Sequence, residues 1–249
     1  TNPISVDEYE QKLTSYINGL KNAKSALDAA KADLASKKQT AAGAAATVQQ
    51  KQVAADSAQV GVNAAKQGVA DAQQIVETIR EEHIEVLAMQ EVSSDLLNRL
   101  NDGGIADYLP YSVTPQLTWH DNGGVNVLYS AYPLQETTEN LIPIESSSIP
   151  AATVVLNGRK VRFGSVHPFS PRPRNQGLWN KSLDSIAQLR HYDNNESYVL
   201  MGDFNATWDH ASFRYLLGDR FTDAGQSAGE GLHMTFPAVF PIAEIDHII

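Results

Sequence analysis

The most restrictive feature of this sequence is a stretch from about residue 6 to residue 82 that contains no proline and is rich in alanine, lysine, glutamine and aspartate. Alanine, lysine and glutamine are strong helix formers, and a helix interior excludes proline. This stretch is therefore predicted to be helical, so any sheet must come from the rest of the chain. Ser5 suits the N-cap position, and Asp7 and Glu8 suit the positive end of the helix dipole.

Two apolar seams with seven-residue spacing run along this stretch. The first consists of Leu13, Leu20, Leu27 and Leu34 with Tyr9, Tyr16, Ala23 and Ala30. The second consists of Val62, Val69 and Val76 with Ala58, Ala65, Ala72 and Ile79. The first pattern stops at Lys37-Lys38, and Gly43 lies in the break. Two seams with a short break predict an antiparallel helical hairpin over residues 1–70, and an oligomerising coiled coil is the alternative.

Composition and charge narrow the class of protein. The chain has 249 residues, of which 42% are hydrophobic, and 29 acidic against 19 basic residues give a net charge of −10. This charge argues against a protein that coats nucleic acid through phosphate neutralisation. The absence of cysteine excludes disulfides, zinc–thiolate sites and a cysteine nucleophile. We expect no membrane span and find no signal-peptide core, which leaves the compartment open and a secreted or cell-envelope origin among the alternatives.

From about residue 71 onward, short apolar runs alternate with loops and amphipathic segments. Strands are predicted at 84–91, 123–130, 153–156, 160–167, 198–201 and 242–249. Helices are predicted at 95–100, 179–192 and 209–217. Asn157-Gly158 is a strong signal for a tight hairpin turn. The pattern predicts an α+β domain over residues 71–249, built from two packed mixed β-sheets with helices outside.

Polar residues stand at the ends of four of these apolar strands, at Glu91, His167, Asp203 with Asn205, and Asp246. Asp203 and Asn205 share a side if the extended backbone continues, and together they suit a divalent metal, an attacking water and a phosphate oxygen. The alternative is an ordinary Asp/Asn turn. Asp246 lies within an apolar strand and needs a partner. His167 is the candidate, and such a pair would favour the protonated imidazole.

Five sequence blocks, taken together and in this order, resemble the endonuclease/exonuclease/phosphatase superfamily, which includes DNase I-like nucleases, exonuclease III-like repair enzymes, sphingomyelinases and inositol-polyphosphate 5-phosphatases. The blocks are EVLAMQEV at 85–92, VNVLYSAYPL at 125–134, GSVHP at 164–168, MGDFNA at 201–206 and EIDHII at 244–249. The resemblance covers roughly residue 71 to the C-terminus. It implies a four-layer DNase I-like sandwich of two sheets flanked by helices.

The resemblance also implies a role for each polar strand end. Glu91 corresponds to the carboxylate that holds a catalytic Mg²⁺ or Mn²⁺. His167 corresponds to the histidine that contacts the scissile phosphate, and Asp246 to the acid that orients it. Asp203 corresponds to the acid that positions or activates the nucleophile, and Asn205 to the amide that contacts phosphate. The implied reaction is in-line attack of water on a phosphodiester or phosphomonoester substrate.

Two arginines follow His167 closely in a proline-rich loop, at Arg172 and Arg174. They are candidates for contact with a substrate phosphate, because a guanidinium pairs well with phosphate oxygens. The alternative is a solvated loop with no role in binding.

The resemblance is incomplete at both ends. The family begins with a strand that ends in an active-site asparagine, whereas this chain has its helical stretch there. Residues 60–64 can be aligned with that strand, which would make Asn63 the counterpart, but the seven-residue seam favours helix. The family also closes with a Ser-Asp-His block that carries its general-base histidine. No such block follows Asp246.

Neither remaining histidine near the end of the chain replaces this base in the sequence. Strand alternation turns His247 away from the face of Asp246, and His233 lies in a glycine-rich loop. We therefore expect weak or no phosphodiesterase activity from this chain. A truncated, chimeric or partner-completed chain would explain the pattern. The rival hypothesis is a structural or interaction protein in which the helical segment mediates assembly, including self-association.

Overall fold

The computed structural model describes residues 5–116, 124–192, 196–229 and 234–249. It divides into two compact units, Thr1–Lys66 and Gln67–Ile249. The helices are α1 (Val6–Glu81), α2 (Ser94–Asp102), α3 (Gln176–Ala187), α4 (Ala211–Leu217) and α5 (Ala224–Ala228). The strands are β1 (Val86–Val92), β2 (Tyr111–Val113), β3 (Val125–Ser130), β4 (Gln135–Thr138), β5 (Ala151–Leu156), β6 (Arg159–Val166), β7 (Ser197–Asp203) and β8 (Asp246–Ile248). Gly123, which opens a predicted strand, and His233 lie outside the described residues.

The predicted helical hairpin is wrong, because α1 is one continuous helix of 76 residues. The supposed break consists of two lysines, which favour helix, and of Gly43, which costs only about 1 kcal/mol in a helix interior. The hydroxyl of Thr47 donates to the Gly43 carbonyl at 3.0 Å, one turn back along the helix. Residues 60–64 are helical, as the seven-residue seam predicted.

In the first unit, all side chains between residues 5 and 66 are exposed. The helix there is supported by local terms, namely alanine propensity and ion pairs between successive turns. Lys12 pairs with Glu8 at 3.3 Å and Lys37 with Asp33 at 2.8 Å. Among the described residues, no helix is long and apolar enough to cross a membrane.

The second unit contains two sheets. The first has the order β1-β3-β2 and is antiparallel, whereas the second has the order β4-β5-β6-β7-β8 and is mixed. Its parallel pair is β6 and β7, and α3 supplies the crossover that a parallel pair requires. The prediction of two mixed sheets therefore holds for the second sheet only.

Three hydrophobic clusters separate four layers, which confirms the sandwich architecture. One cluster joins the end of α1 and α2 to the first sheet and includes Val76, Ile79, Leu100, Val125 and Val127. A second lies between the sheets and includes Val113, Leu128, Val154 and Phe163. The third joins the second sheet to α3 and α4 and includes Val166, Leu183, Leu200 and Phe213.

Strand alternation decides where the polar strand ends point. On β7, Leu200 packs towards α3 and α4, whereas Val199 and Met201 pack towards the first sheet. Asp203 continues the series of odd-numbered residues. On β6, Phe163 also packs towards the first sheet, and His167 continues its odd-numbered series. Both side chains are thus directed to the inter-sheet side, where β1 ends.

Candidate active site

His167 and Asp203 meet because β6 and β7 are parallel neighbours. Val166 pairs with Gly202 in the register, so the next residue of each strand lies at the same edge of the sheet. His167 Nε2 is 3.8 Å from Asp203 Oδ2. Gly202 permits this approach, since its φ is 145° and a Cβ there would overlap the Val166 carbonyl oxygen. The carboxyl end of the parallel pair therefore presents an imidazole beside a carboxylate.

Asn205 is placed by a turn rather than by a continued strand. Its φ is 50°, and its backbone N–H donates to Asp203 Oδ1 at 2.6 Å. Its side-chain amide donates to the Pro168 carbonyl at 3.0 Å, which ties this turn to the loop that follows His167. The Asp/Asn turn alternative is therefore correct for the backbone, and the turn also brings Asn205 to the same site as Asp203.

Glu91 approaches from the first sheet, at an irregularity in β1. The register with β3 shifts between Met89 and Val92, and Glu91 has a positive φ of 54°. Gly124 lies against it so closely that a Cβ would overlap the Glu91 carbonyl. Bulges and positive-φ residues of this kind re-aim a side chain. The Glu91 carboxylate lies 3.9 Å from His167 Nε2 while about half of the side chain stays exposed.

Several neutral side chains that the sequence did not single out hold this arrangement in place. The Gln90 amide donates to the Ser165 hydroxyl at 2.9 Å, and this hydroxyl donates to the Met89 carbonyl at 3.3 Å, which links the two sheets beneath Glu91. The hydroxyls of Ser146 and Ser147 donate to the His167 carbonyl at 3.0 and 2.7 Å. No motif marks them, because their role depends on strands distant in the sequence.

Glu91, His167, Asp203 and Asn205 line one cavity of about 440 Å³, a size typical of small-ligand sites. Its charged and hydrogen-bonding lining includes Glu91, His167, Arg172, Asp203, Asn205 and His210. Of the two arginine candidates, the structure brings Arg172 to the cavity, whereas Arg174 is not among the described lining residues. The cavity thus combines carboxylates with nitrogen groups, an arrangement suited to a metal-bound anion.

His210 is a cavity residue that the sequence reasoning missed. Its Nδ1 accepts a hydrogen bond from the Thr207 backbone N–H at 2.9 Å. The edge of Trp179 packs against the ring, with centroids 5.1 Å apart. An accepting Nδ1 leaves the proton of the neutral ring on Nε2, so His210 carries a donor of fixed tautomer. No signal in the sequence marked this role, because His210 falls inside the helix predicted at 209–217, whereas in the structure it is the residue before α4.

The predicted direct pair between Asp246 and His167 is wrong. Asp246 pairs with Asp203 in the register of β7 with β8, so it lies two strands away from β6. Its side chain lines a neighbouring cavity of about 630 Å³ with Gln90 and Gly202. The carboxylates that approach His167 Nε2 within 4 Å in the described part of the chain belong to Glu91 and Asp203.

Burial and clustered negative charge shift the acid–base equilibria of the site. Burial raises the pKa of Asp203 to about 7, helped by the Asp246 and Glu91 carboxylates and opposed by the Asn205 N–H. Burial also lowers the pKa of His167, although Glu91 and Asp246 oppose this shift. The expectation that a carboxylate partner would favour protonated His167 is therefore not met, because desolvation has the larger effect.

Replacing Asp203 with Asn is expected to stabilise the metal-free protein at pH 8. Between its ordinary pKa of 3.8 and about 7, folded Asp203 retains a proton that the unfolded chain releases, so stability falls as pH rises through this window. The shift corresponds to about 4 kcal/mol at most, and we expect about 1–3 kcal/mol because the side chain is partly exposed. Urea unfolding with EDTA at pH 8, followed by tryptophan fluorescence, measures this gain.

The two proteins should differ much less at pH 4, which is close to the ordinary pKa of 3.8, because the unfolded chain then keeps much of the proton that folded Asp203 holds. Asp184→Asn is the matched control, because Asp184 is exposed on α3 and its substitution should leave the free energy of unfolding nearly unchanged. If Asp203→Asn raised the free energy of unfolding equally at both pH values, the raised pKa of Asp203 would not be the cause of the stabilisation.

A second polar cluster, formed by Asp223, Glu244 and His247, lies apart from this cavity. Its ligand atoms are all within 4.8 Å of one another. However, His247 Nδ1 is 2.7 Å from the Asp223 carboxylate and its Nε2 is 2.8 Å from the Ala206 carbonyl. Both ring nitrogens of His247 are therefore already engaged by groups of the protein itself. The pair is a buried clamp, and His247 faces away from Asp246 as strand alternation predicted.

Glu91 is the better candidate for a metal ligand. Mg²⁺ and Mn²⁺ prefer oxygen ligands, and Mg²⁺ commonly takes one or two protein carboxylates while it keeps several waters. The Glu91 carboxylate faces the cavity and is accessible to solvent, and Asp203 lies across His167 from it. The repulsion that helps to raise the Asp203 pKa is the kind that a bound cation relieves. The donor set therefore fits a hydrated divalent cation.

Comparisons with known proteins identify the family and the fold. The sequence model of the Endonuclease/Exonuclease/phosphatase family matches residues 59–249. No curated protein matches the chain by sequence. Similar solved structures include humanized D. rerio TDP2, with 14% identity, a TM-score of 0.58 and coverage of 73% of this chain and 76% of that one.

Two bacterial proteins are also similar. Staphylococcus aureus beta toxin, as an F277A, P278A mutant with bound magnesium ions, has 14% identity, a TM-score of 0.52 and coverage of 73% and 76%. Sphingomyelinase C from Streptomyces griseocarneus has 13% identity, a TM-score of 0.50 and coverage of 73% and 75%. At these identities the likeness concerns the fold.

Proposed function

Because this chain belongs to the endonuclease/exonuclease/phosphatase family, we propose that its globular part, residues 71–249, is a metal-dependent phosphoesterase domain that hydrolyses a phosphodiester or phosphomonoester with water. The observation that carries the proposal is the convergence of Glu91, His167, Asp203 and Asn205 on one cavity. These side chains come from three strand ends and one turn, so their meeting is a property of the folded chain.

Each cavity residue has a task in this reaction. His167, Arg172 and His210 supply nitrogen donors to phosphate oxygens, and the guanidinium of Arg172 adds positive charge. Asp203 orients the attacking water and accepts its proton, and the Asn205 N–H holds its carboxylate in place. Asn205 holds the turn that fixes the Asp203 carboxylate and contributes to the phosphate site. Asp246 acts through its charge on Asp203.

Glu91 would hold Mg²⁺ or Mn²⁺, with Asp203 nearby. Such a cation, when bound, neutralises charge on the phosphate oxygens and lowers the pKa of a coordinated water. The binding experiment described below compares Mg²⁺ with Mn²⁺.

We expect the rate to be low. In the described part of the chain, the histidine that is hydrogen-bonded by a carboxylate is His247, and it is buried away from the cavity. His210 uses its Nδ1 as an acceptor from Thr207, so its Nε2 is a donor rather than a base. A dedicated general base commonly contributes about 10² to 10⁴ in rate. Asp203 is left to accept the proton alone.

The net charge of the chain indicates which class of phosphoester is favoured as the substrate. The net charge of −10 favours small phosphoesters or lipid headgroups over long nucleic acid, whose binding depends on many phosphate contacts. The likeness to a sphingomyelinase accords with this preference, whereas the likeness to D. rerio TDP2, which is known in complex with a single-strand DNA product, keeps nucleic acid open. Release of nitrophenol from bis(p-nitrophenyl) phosphate and from p-nitrophenyl phosphate, each with Mg²⁺, Mn²⁺ or EDTA, distinguishes diester from monoester hydrolysis.

Replacing Glu91 with Ala is expected to abolish the binding of Mg²⁺ or Mn²⁺ by the intact chain, because the substitution removes the carboxylate that faces the cavity. Isothermal titration calorimetry of both proteins with each metal alone measures the loss. Glu244→Ala is the matched control, since Glu244 belongs to the second cluster and should leave binding unchanged. Binding lost in Glu244→Ala but kept in Glu91→Ala would place the metal in the second cluster and overturn the proposed site.

A second candidate function is assembly through the helical segment, with the globular part as a scaffold. The observation that favours it is that the apolar seams between residues 5 and 66 are exposed to solvent. The two functions are compatible, since the seams and the cavity belong to different units.

A further inference from the structure

The two apolar seams of α1 are one seam. Seven-residue steps from Leu34 lead through Ala41, Val48 and Ala55 to Val62, so the second seam continues the first without a change of register. We call the full set the heptad stripe. Its first position is apolar in eleven successive repeats: Val6, Leu13, Leu20, Leu27, Leu34, Ala41, Val48, Ala55, Val62, Val69 and Val76. Its second position is Tyr9, Tyr16, Ala23, Ala30, Lys37, Ala44, Lys51, Ala58, Ala65, Ala72 and Ile79.

Because α1 is continuous, the heptad stripe is a physical surface of one helix. A straight α-helix drifts by about 20° per heptad, so a strict seven-residue repeat keeps one face aligned only where two helices supercoil. At the end of the stripe, Ala72, Val76 and Ile79 are buried in the core of the second unit. Earlier members are exposed, for example Leu20 at 60% and Leu27 at 54%. The stripe therefore extends an established contact into an apolar face that lacks a partner within the described chain.

We propose that a second copy of this chain covers the heptad stripe, with the two helices antiparallel. The first position of the stripe holds Leu or Val in most repeats, whereas the second holds Ala in most repeats. In a parallel pair, each position meets itself, so bulky layers would alternate with alanine layers that leave gaps. Lys37 and Lys51 would also meet their own copies. In an antiparallel pair the first position meets the second, and bulky residues oppose small ones.

One antiparallel register satisfies this rule in five of the nine layers of the first unit. If Leu13 lies opposite Ala58, then Leu27 lies opposite Ala44, and Val48 opposite Ala23. The same register sets Ala55 against Tyr16, so the size rule is reversed but still obeyed there. It sets Val62 against Tyr9 and Ala41 against Ala30, two layers in which residues of similar size meet. The overlap spans residues 6–65 of each copy, which is about 90 Å of helix.

The two lysines of the stripe are also accommodated in this register. Lys51 lies opposite Leu20 and Lys37 opposite Leu34. Their aliphatic stems can cover a leucine while the ammonium groups reach solvent. No lysine then meets its own copy in the apolar layers, in contrast to the parallel arrangement. This proposal concerns assembly and does not depend on phosphoester hydrolysis.

Sedimentation equilibrium of the intact chain tests the association. We expect twice the chain mass of 27.1 kDa, and the 27.1 kDa species for the double variant Leu20→Glu/Leu27→Glu. The control is Val53→Glu/Val60→Glu, whose valines are equally exposed, at 60% and 68%, but lie on the opposite face of α1. Glutamate is a good helix former, so far-ultraviolet circular dichroism should stay unchanged in both. A monomeric native chain, or equal dissociation of both variants, would overturn the proposal.

Cysteine cross-linking tests the orientation, because the natural chain has no cysteine. Leu13→Cys/Ala58→Cys should form a disulfide-linked dimer under mild oxidation, since these positions lie opposite each other in the antiparallel register. Within one helix they are too far apart to react. Ala23→Cys alone should not cross-link efficiently, because its expected neighbour is Val48 of the other copy. Efficient cross-linking of Ala23→Cys without cross-linking of the double variant would indicate a parallel pair and overturn the assigned orientation.

Discussion

Replacing Asp203 with Ala is expected to lower metal-dependent hydrolysis of a phosphodiester by about 100-fold or more. The substitution removes the carboxylate that lies 3.8 Å from His167 Nε2 and that anchors the Asn205 turn through the 2.6 Å hydrogen bond. Water would lose both its orientation and its proton acceptor. Initial rates with bis(p-nitrophenyl) phosphate at saturating Mg²⁺ or Mn²⁺ measure the effect.

Asp184→Ala is the control for this rate comparison, since Asp184 is exposed on α3 and should leave the rate unchanged. An Asp203→Ala protein that retains the native rate would contradict the role assigned to Asp203. A high native rate that Asp203→Ala abolishes would support the site but contradict the low rate expected when Asp203 accepts the proton without help from a histidine in the described part of the chain.

Replacing Gly202 with Ala is expected to destabilise the folded protein by roughly 3 kcal/mol or more. Gly202 has a φ of 145°, which side-chain-bearing residues rarely adopt, and an added Cβ would overlap the Val166 carbonyl oxygen. It would also come within 2.9 Å of the Gln90 amide nitrogen. Relief of these overlaps requires β6 and β7 to separate next to His167 and Asp203. The midpoint of urea unfolding, followed by tryptophan fluorescence, measures the loss.

Gly177→Ala is the matched control for the glycine substitution. Gly177 lies in the first turn of α3, and an added Cβ would meet no atom within 4 Å. Because alanine favours helix over glycine, this variant should be slightly more stable, by up to about 1 kcal/mol. If both glycine variants were equally stable, the strand contact at Gly202 would not be as tight as the structure indicates.

The local sequence was sufficient to predict the secondary structure wherever a short segment determines its own backbone conformation. The Asn157-Gly158 turn is an example, because both residues have positive φ, at 50° and 79°, and join β5 to β6 as predicted. The apolar runs before Glu91, His167 and Asp203 form strands for a similar reason, since a buried strand needs only a few apolar residues. The family resemblance rested on these same segments and is confirmed by the family match over residues 59–249.

Local patterns failed where neighbouring elements decide the outcome. β4 consists of the polar residues Gln135–Thr138 and carries no apolar signal, so only its pairing with β5 makes it a strand. The lysines and glycine after residue 36 suggested a break, yet a helix tolerates both residue types when alanine surrounds them. The predicted domain boundary near residue 70 stays a prediction, alongside the division of the structure between Lys66 and Gln67.

The sequence by itself determined the apolar strands β1, β3, β5, β6 and β7 and the polar residues at the ends of three of them, because both depend on residues within a few positions. Only the tertiary structure decided that Asp246 lies two strands from His167, that His210 enters the cavity, and that His247 is clamped by Asp223. It also decided the pKa of Asp203, which is raised to about 7 by burial and by two carboxylates, Asp246 and Glu91, that are distant in the sequence but near in the fold. Strand order, desolvation and charge proximity join residues far apart in the chain, so no local pattern specifies them.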